Sequence, residues 1–557
     1  MVASSARKNG ISVVSLLSSL YPVFVTVSLA VFATGFLQGV LEVMLAGVFV
    51  IFVANIMYAF ANLKNRLLFL FLHGGIFLFL LTRPLVGSID PSRSWMLSSH
   101  DSTQFALLSL YVSMACLLLG SVLFEGVLRA NSDWRKRRSL LAPNKAGIGA
   151  SSKAHHKVSG LMHELSRSEK MGYIRKAALI CYFVCLLGTF VDGAIRLEVM
   201  QGHSYEEYYL VGVDENIPWV IGVLKPMAPY MLCAFLATLP KRRISTICLA
   251  LYVSTSIPML IIGSRSDFVI SFLFAGLYYI FRHLTDSEER WITRRVALGA
   301  IILIPLGIVA MGAINYLRAG TSSSLGFFAL FADALFKQGV TFTVLGHGYD
   351  VNPQIQDLGF RFYSIGAIIT NITQGFIGQT FLGCQDLGET NSALLALNSS
   401  SYAHAMSYFA HPNYLGGEGY GSSYILELYA DFGYGGIVFG SIFLGMIFCL
   451  MSRCIGRSWF WGMVALISSM SVFHMPRGYA IEWISFLMST RFLLAVALIL
   501  ACSASLAYFS RAKSVANVLE PAKLTVPCSC AGGEERLRVN KFGVQVVPLI
   551  VRKSDHV

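Results

Sequence analysis

The stretch from His411 to Gly445, HPNYLGGEGYGSSYILELYADFGYGGIVFGSIFLG, gathers acid–base groups where a polar loop meets an apolar run. His411 and Glu418 sit in the glycine-rich loop, and Glu427 and Asp431 fall in the first turns of the apolar run. Carboxylates at the mouth of a membrane helix are costly unless they face a polar cavity, so this spacing marks a site. Glu427 and Asp431 are four apart and share one helical face, with Ser423 a turn earlier. His411, Glu418 and Glu427 are each able to take a proton from a sugar hydroxyl, and the sequence does not rank them. The competing reading is that the helix-mouth carboxylates bond loop amides. For Asp431, in ADFGYGG, that reading is the preferred one.

Arginines supply the second signal. Arg265 lies in GSRSD, Arg318 in NYLRAG, Arg361 in a long loop and Arg477 in HMPRG, all at ends of apolar runs or on loops between them. Guanidinium matches phosphate oxygens in a bidentate fork, so the group is expected to hold a lipid-linked pyrophosphate. The alternative is snorkelling to headgroups or pairing with a local acid such as Asp267. His474 is expected to be a structural hydrogen-bonder. Tyr205, Tyr208, Tyr209, Tyr402, Tyr408, Tyr414 and Tyr420 have faces that sugars stack on, though tyrosine also favours membrane interfaces. No DxD, GxxxxGK[ST], HExxH or His/Cys metal spacing occurs, so neither a metal nor a cofactor is expected.

The elements that must position these residues are membrane spans. The chain is 55% hydrophobic and 13% charged over 557 residues, with mean hydropathy +0.63. That is about half the charge of a soluble average near 25%. Apolar runs of spanning length occur near 11–33, 40–60, 66–86, 104–128, 174–194, 217–239, 244–262, 267–283, 296–314, 425–450, 459–475 and 480–507. The spacing predicts an all-α polytopic membrane protein of about twelve helices, or up to fourteen. The extra pair would come from the apolar portions Leu325–Leu345 and Tyr363–Phe381, otherwise read as re-entrant or interfacial helices.

Charge placement orients the spans. Arg129–Lys176 holds twelve Lys or Arg against three acids, so it is expected on the cytoplasmic side. Alternation from there puts the other basic clusters and both termini inside, and the 315–421 loop outside with three Lys or Arg and six acids. The formal charge of +13 thus reads as topology and contact with anionic lipid, not as nucleic-acid binding. The organisation expected is four helices over 1–128, a polybasic cytoplasmic loop over 129–176 and central helices over 177–314. An outer loop over 315–421, three helices over 422–510 and a cytoplasmic tail over 511–557 follow. The polybasic loop is read as disordered and the tail as lacking periodicity. Seven of the eleven cysteines lie in apolar runs and Cys384 alone lies on the long loop, so no disulfide framework is expected.

With these residues in hand, the chain resembles the Wzy-type polymerases of O-antigen or oligosaccharide repeat units. The resemblance rests on Gly421, Ser422, Ser423, Glu427, Phe432 and Gly433 opening a late span, on the GSRSD turn and on NYLRAG entering a large outer loop. It covers roughly residues 170–507. It implies a GT-C-like membrane glycosyltransferase of the bacterial inner membrane. Inverting, metal-independent transfer would move a growing glycan from undecaprenyl pyrophosphate to a new lipid-linked repeat unit on the periplasmic face. Under it Arg265 and Arg318 hold pyrophosphate with help from Arg361 or Arg477, and residues 385–421 act as a lid. A chain-length-regulating co-polymerase is an implied partner. The rivals are an O-antigen ligase with a lipid A-core acceptor, a flippase or transporter of lipid-linked glycans, and a cell-wall polymerase of the shape–elongation–division type.

Overall fold

The computed structural model describes residues 13–141, 150–201, 217–262, 266–318, 326–388 and 390–519. Among them there are helices and turns but no strand. In chain order the long rods are α1 (Val13–Gln38), α2 (Leu41–Ala61), α3 (Leu67–Ile89), α4 (His100–Leu141), α5 (Ala150–Met200) and α6 (Trp219–Ala237). Next come α7 (Arg242–Ile262), α8 (Ser266–Thr285) and α9 (Arg294–Arg318). After a long insertion the chain continues as α10 (Tyr424–Cys454), α11 (Trp459–Val472) and α12 (Thr490–Leu519). Eleven helices among the described residues are long and apolar enough to cross a membrane.

Because short connections reverse the direction of successive rods, their ends sort to two faces. One is basic, carrying Arg66, Arg282 and Arg453; the other is loop-rich, carrying residues 90–99, 326–423 and 473–489. Three features differ from the expected spans. First, α11 has 14 residues, about 21 Å at 1.5 Å per residue. Second, the last rod starts at Thr490, not near 480, because Trp483 and Phe486 pack into the core and hold 482–488 in a short helix and a 3₁₀ turn. Third, the polybasic stretch is helical where it is described, over 129–141 and 150–176. Its Lys and Arg are good helix formers. Likewise α12 runs on to Leu519, past Arg511.

Segment Phe327–Asp350 also has the length and hydropathy of a span. Its contacts place it elsewhere. Asp333 pairs with Arg93 (2.9 Å), and Asp350 accepts from Ser98 (2.6 Å) and Ser102 (2.5 Å). All three partners lie in the connection between α3 and α4 or the first turn of α4, so both halves rest on the loop-rich face. A crossing rod would put its ends on opposite faces.

The centre of the bundle is the α4–α10 contact. A Cβ at Gly120 would collide with the Ile442 carbonyl, and one at Gly445 with that of Leu117, so the two backbones touch. Ser113 bridges the Tyr424 hydroxyl (2.7 Å) and Ser441 (2.9 Å) across the same seam. At the basic face Arg66 and Arg453 converge on Glu125, at 2.5 Å and 3.2 Å. Asn55 bonds His73 (2.8 Å) and the Met114 carbonyl (3.0 Å), joining α2, α3 and α4. These contacts fix where α10 delivers its loop-side end.

Candidate functional site

Glu427 enters the first turn of α10 and is fully buried. Both carboxylate oxygens are occupied: the Ser422 hydroxyl donates to Oε1 (2.8 Å) and the Ala480 N–H donates to Oε2 (2.7 Å). Glu427 thus ties the mouth of α10 to the turn that carries Arg477. Asp431, one turn on, accepts from the amides of Tyr363 (2.9 Å) and Ser364 (2.8 Å). Both helix-mouth carboxylates bond loop amides.

Directly after Asp431 the helix breaks. Phe432 (φ −139°, ψ 18°) and Gly433 (φ +58°, ψ −148°) leave helical geometry before α10 resumes. Gly433 is in a region essentially closed to residues with a Cβ. The Ala430 carbonyl, released by the break, accepts from Gln356 Nε2 at 2.8 Å. Broken backbone in a membrane helix is tolerated where protein or a wet cavity satisfies it.

His411 and Glu418 meet on the loop-rich face, with Nε2 and Oε2 3.5 Å apart. The Asn413 amide donates to His411 Nδ1 (3.2 Å). In the neutral ring the proton therefore sits on Nε2, toward Glu418, which leaves the carboxylate as the accepting end of the pair. The Glu418 side chain is 62% exposed. Tyr420 lies between two imidazoles, stacked on His347 (4.6 Å, 17°) and edge-on to His411 (4.6 Å, 65°). Asn391 holds the loop shut by donating to the carbonyls of Tyr414 and Glu418, both at 2.9 Å.

Two of the four arginines lie among the described side chains. Arg361 is half-buried and donates to the Leu358 carbonyl at 3.3 Å, two residues before the turn that Asp431 holds. Arg477 lies 6.0 Å from the Phe79 ring, its side chain accessible yet ringed by protein that lowers its guanidinium pKa. Arg265 lies outside the described residues, and Arg318 closes α9 with its side chain likewise outside them.

Sequence reasoning passed over Glu482, which fell inside an expected span. A Cβ built at Gly478 would sit 2.8 Å from Glu482 Oε2 and 3.1 Å from His474 Nδ1, so these two groups flank the turn bearing Arg477. Burial pushes the Glu482 carboxyl up to about 7. Burial, then the nearby Arg477 charge, pulls His474 down to about 4. The available signal was an acid at the head of an apolar run, as at Glu427. Among the described residues no three His, Cys, Asp or Glu side chains gather as metal ligands would.

A cavity of about 790 Å³ opens in the loop-side half of the bundle between α5, α6, α7, α8 and the start of α12. Asp192, Arg196, Lys225, Asp267 and Arg491 line it with Thr189, Trp219 and Tyr252. Asp267, on this lining, is the last residue of the GSRSD stretch.

No curated protein and no solved structure is significantly similar to the chain. Its residues 20–508 do match the sequence profile of a family described as O-antigen polysaccharide polymerase Wzy. That match spans the bundle, the loop-rich face and the cavity together. The chain therefore belongs to the O-antigen polysaccharide polymerase Wzy family.

Proposed function

We propose that this protein joins undecaprenyl-pyrophosphate-linked repeat units into a surface polysaccharide, working from the periplasmic side of the bacterial inner membrane. The observation that carries the reading is the family match over residues 20–508. The loop-rich face is the periplasmic one in this reading, and both termini are cytoplasmic. Support for the orientation comes from the arginines at the opposite face.

The acceptor hydroxyl attacks the anomeric carbon of the donor glycan, the bond from that carbon to pyrophosphate breaks, and configuration inverts. The hydroxyl proton passes to a carboxylate. Pyrophosphate leaves readily once its charge is bound, so arginines suffice and no metal is required. Arg265, Arg318, Arg361 and Arg477 supply that charge in this reading. Of the three groups able to take the proton, the His411–Glu418 pair has the accessible carboxylate. Glu427, with both oxygens donated to, positions the Arg477 turn.

The test is the polysaccharide ladder of a deletion strain. Loss of the ladder with a single-repeat band kept supports polymerisation. Loss of all attached glycan would mean a ligase, and an unaltered ladder would sink the reading. Transfer by purified protein should survive EDTA.

A further inference from the structure

The cavity between α5, α6, α7, α8 and α12 carries more than the proposed reading uses. Asp192 and Lys225 sit in neighbouring rods, about eight residues before the end of α5 and six after the start of α6. At 1.5 Å per residue that is roughly 9–12 Å from the helix ends. An ionised side chain within the bilayer costs several kcal/mol unless it is paired or serves a wet pathway. These are paired: Lys225 Nζ is 2.6 Å from Asp192 Oδ2, and Arg196 Nε donates to the same oxygen at 3.0 Å. One carboxylate oxygen thus holds two cations. Arg491 approaches from α12, and Asp267 is the other acid of the lining. Among the described lining residues, three cations therefore face two carboxylates.

The surroundings indicate what kind of anion fits. About 790 Å³ is within the range of pockets that enclose a small-molecule headgroup. Leu187, Val191, Trp219 and Ile261, on the rods that wall the chamber, are exposed apolar side chains. An apolar chain has a surface to lie on outside while its charged head enters. The chamber lies in the same half of the bundle as the loops bearing the acid–base groups. A phosphate group there would draw Lys225 and Arg196 from Asp192, exchanging a shared ion pair for charge-assisted bonds of its own.

We propose that the chamber formed by Asp192, Arg196, Lys225 and Arg491 is the binding site for the diphosphate head of a polyisoprenyl-linked substrate, whose chain lies along the apolar flank. The proposal rests on the polymerase reading and deepens it, giving the substrate head a membrane-embedded site in addition to the loop arginines. Asp192 keeps the cations in place while the site is empty.

The experiment uses the full chain in nanodiscs and measures binding of undecaprenyl pyrophosphate. Lys225→Gln and Arg491→Gln should each weaken binding about tenfold, the scale of one lost charge-assisted contact. Inorganic pyrophosphate should compete at higher concentration, since it offers the head without the chain, and phosphatidylglycerol should not. Wild-type affinity in both variants, with monodisperse elution and unchanged helical circular dichroism, overturns the proposal. Displacement by phosphatidylglycerol as effective as by pyrophosphate also overturns it, because the chamber would then be an ordinary lipid-headgroup site. Binding is read directly, so the result speaks to the cavity whatever the ladder says of the polymerase reading.

Discussion

At the residue scale the telling group is Glu427, whose carboxylate is spent on holding other parts. Replacing it by Ala leaves the Ala480 N–H and the Ser422 hydroxyl without their acceptor. A buried donor stranded in this way costs about 1–3 kcal/mol. Glu427→Ala is therefore expected to lower the melting temperature in detergent and abolish the ladder. Glu427→Gln, which keeps one acceptor oxygen, should retain more of both; equal stability of Ala and wild type would contradict the tether. Glu482 gives a pH signature. Its folded pKa of about 7 lies above the ordinary 4.5, so the folded state holds the proton more tightly than the unfolded chain. Its contribution is complete below about 4.5 and is lost as pH rises through about 7. The stability difference between wild type and Glu482→Gln should shift against the wild type across that window. His474, held down at about 4, acts oppositely: its contribution is lost as pH falls from 6.5 toward 4. Comparison with Glu482→Gln isolates the carboxyl, and a flat difference from pH 4.5 to 8 would refute the assignment.

At the element scale, the break in α10 sets the geometry of the loop-rich face. Gly433 has φ +58° and ψ −148°, and a Cβ there would cost about 1–3 kcal/mol of backbone strain. No neighbour lies within 4 Å of the Cβ position, so the cost of Gly433→Ala comes from the backbone and not from a clash. The variant is expected to melt lower and to lose ladder length, because straightening α10 pulls Asp431 from the amides of Tyr363 and Ser364. A Gly436→Ala variant does not serve as a control, since its Cβ would meet the Leu428 carbonyl. Gly435, also open, does, and should be near neutral. Equal melting of the Gly433 and Gly435 variants would show that the break carries no strain.

At the scale of the whole molecule, two faces divide the work. The basic face is fastened by Arg66, Glu125 and Arg453, while the loop-rich face holds the His411–Glu418 pair, the Arg477 turn and the chamber mouth. Cys384 lies on the loop-rich face and is unbridged and partly accessible. A membrane-impermeant maleimide should label it in spheroplasts, in a variant whose other cysteines are replaced by Ser or Ala. Reaction only after permeabilisation would invert the proposed topology.

The sequence by itself determined most of the spans, the two faces and the polar loop feeding α10, because the cost of placing each residue in a bilayer depends on that residue and its near neighbours. It also marked Glu427 and Asp431 as acids at a helix mouth. Hydropathy misplaced the start of α12, since 480–489 is as apolar as a span and only the docking of Trp483 and Phe486 removes it from the rod. Tertiary structure alone decided which groups meet. Glu427 reaches the Ala480 amide 53 positions away, and Asp192 meets Lys225 across two rods. Such pairings depend on how helices pack around close-contact glycines and broken turns, and no local transfer cost encodes them.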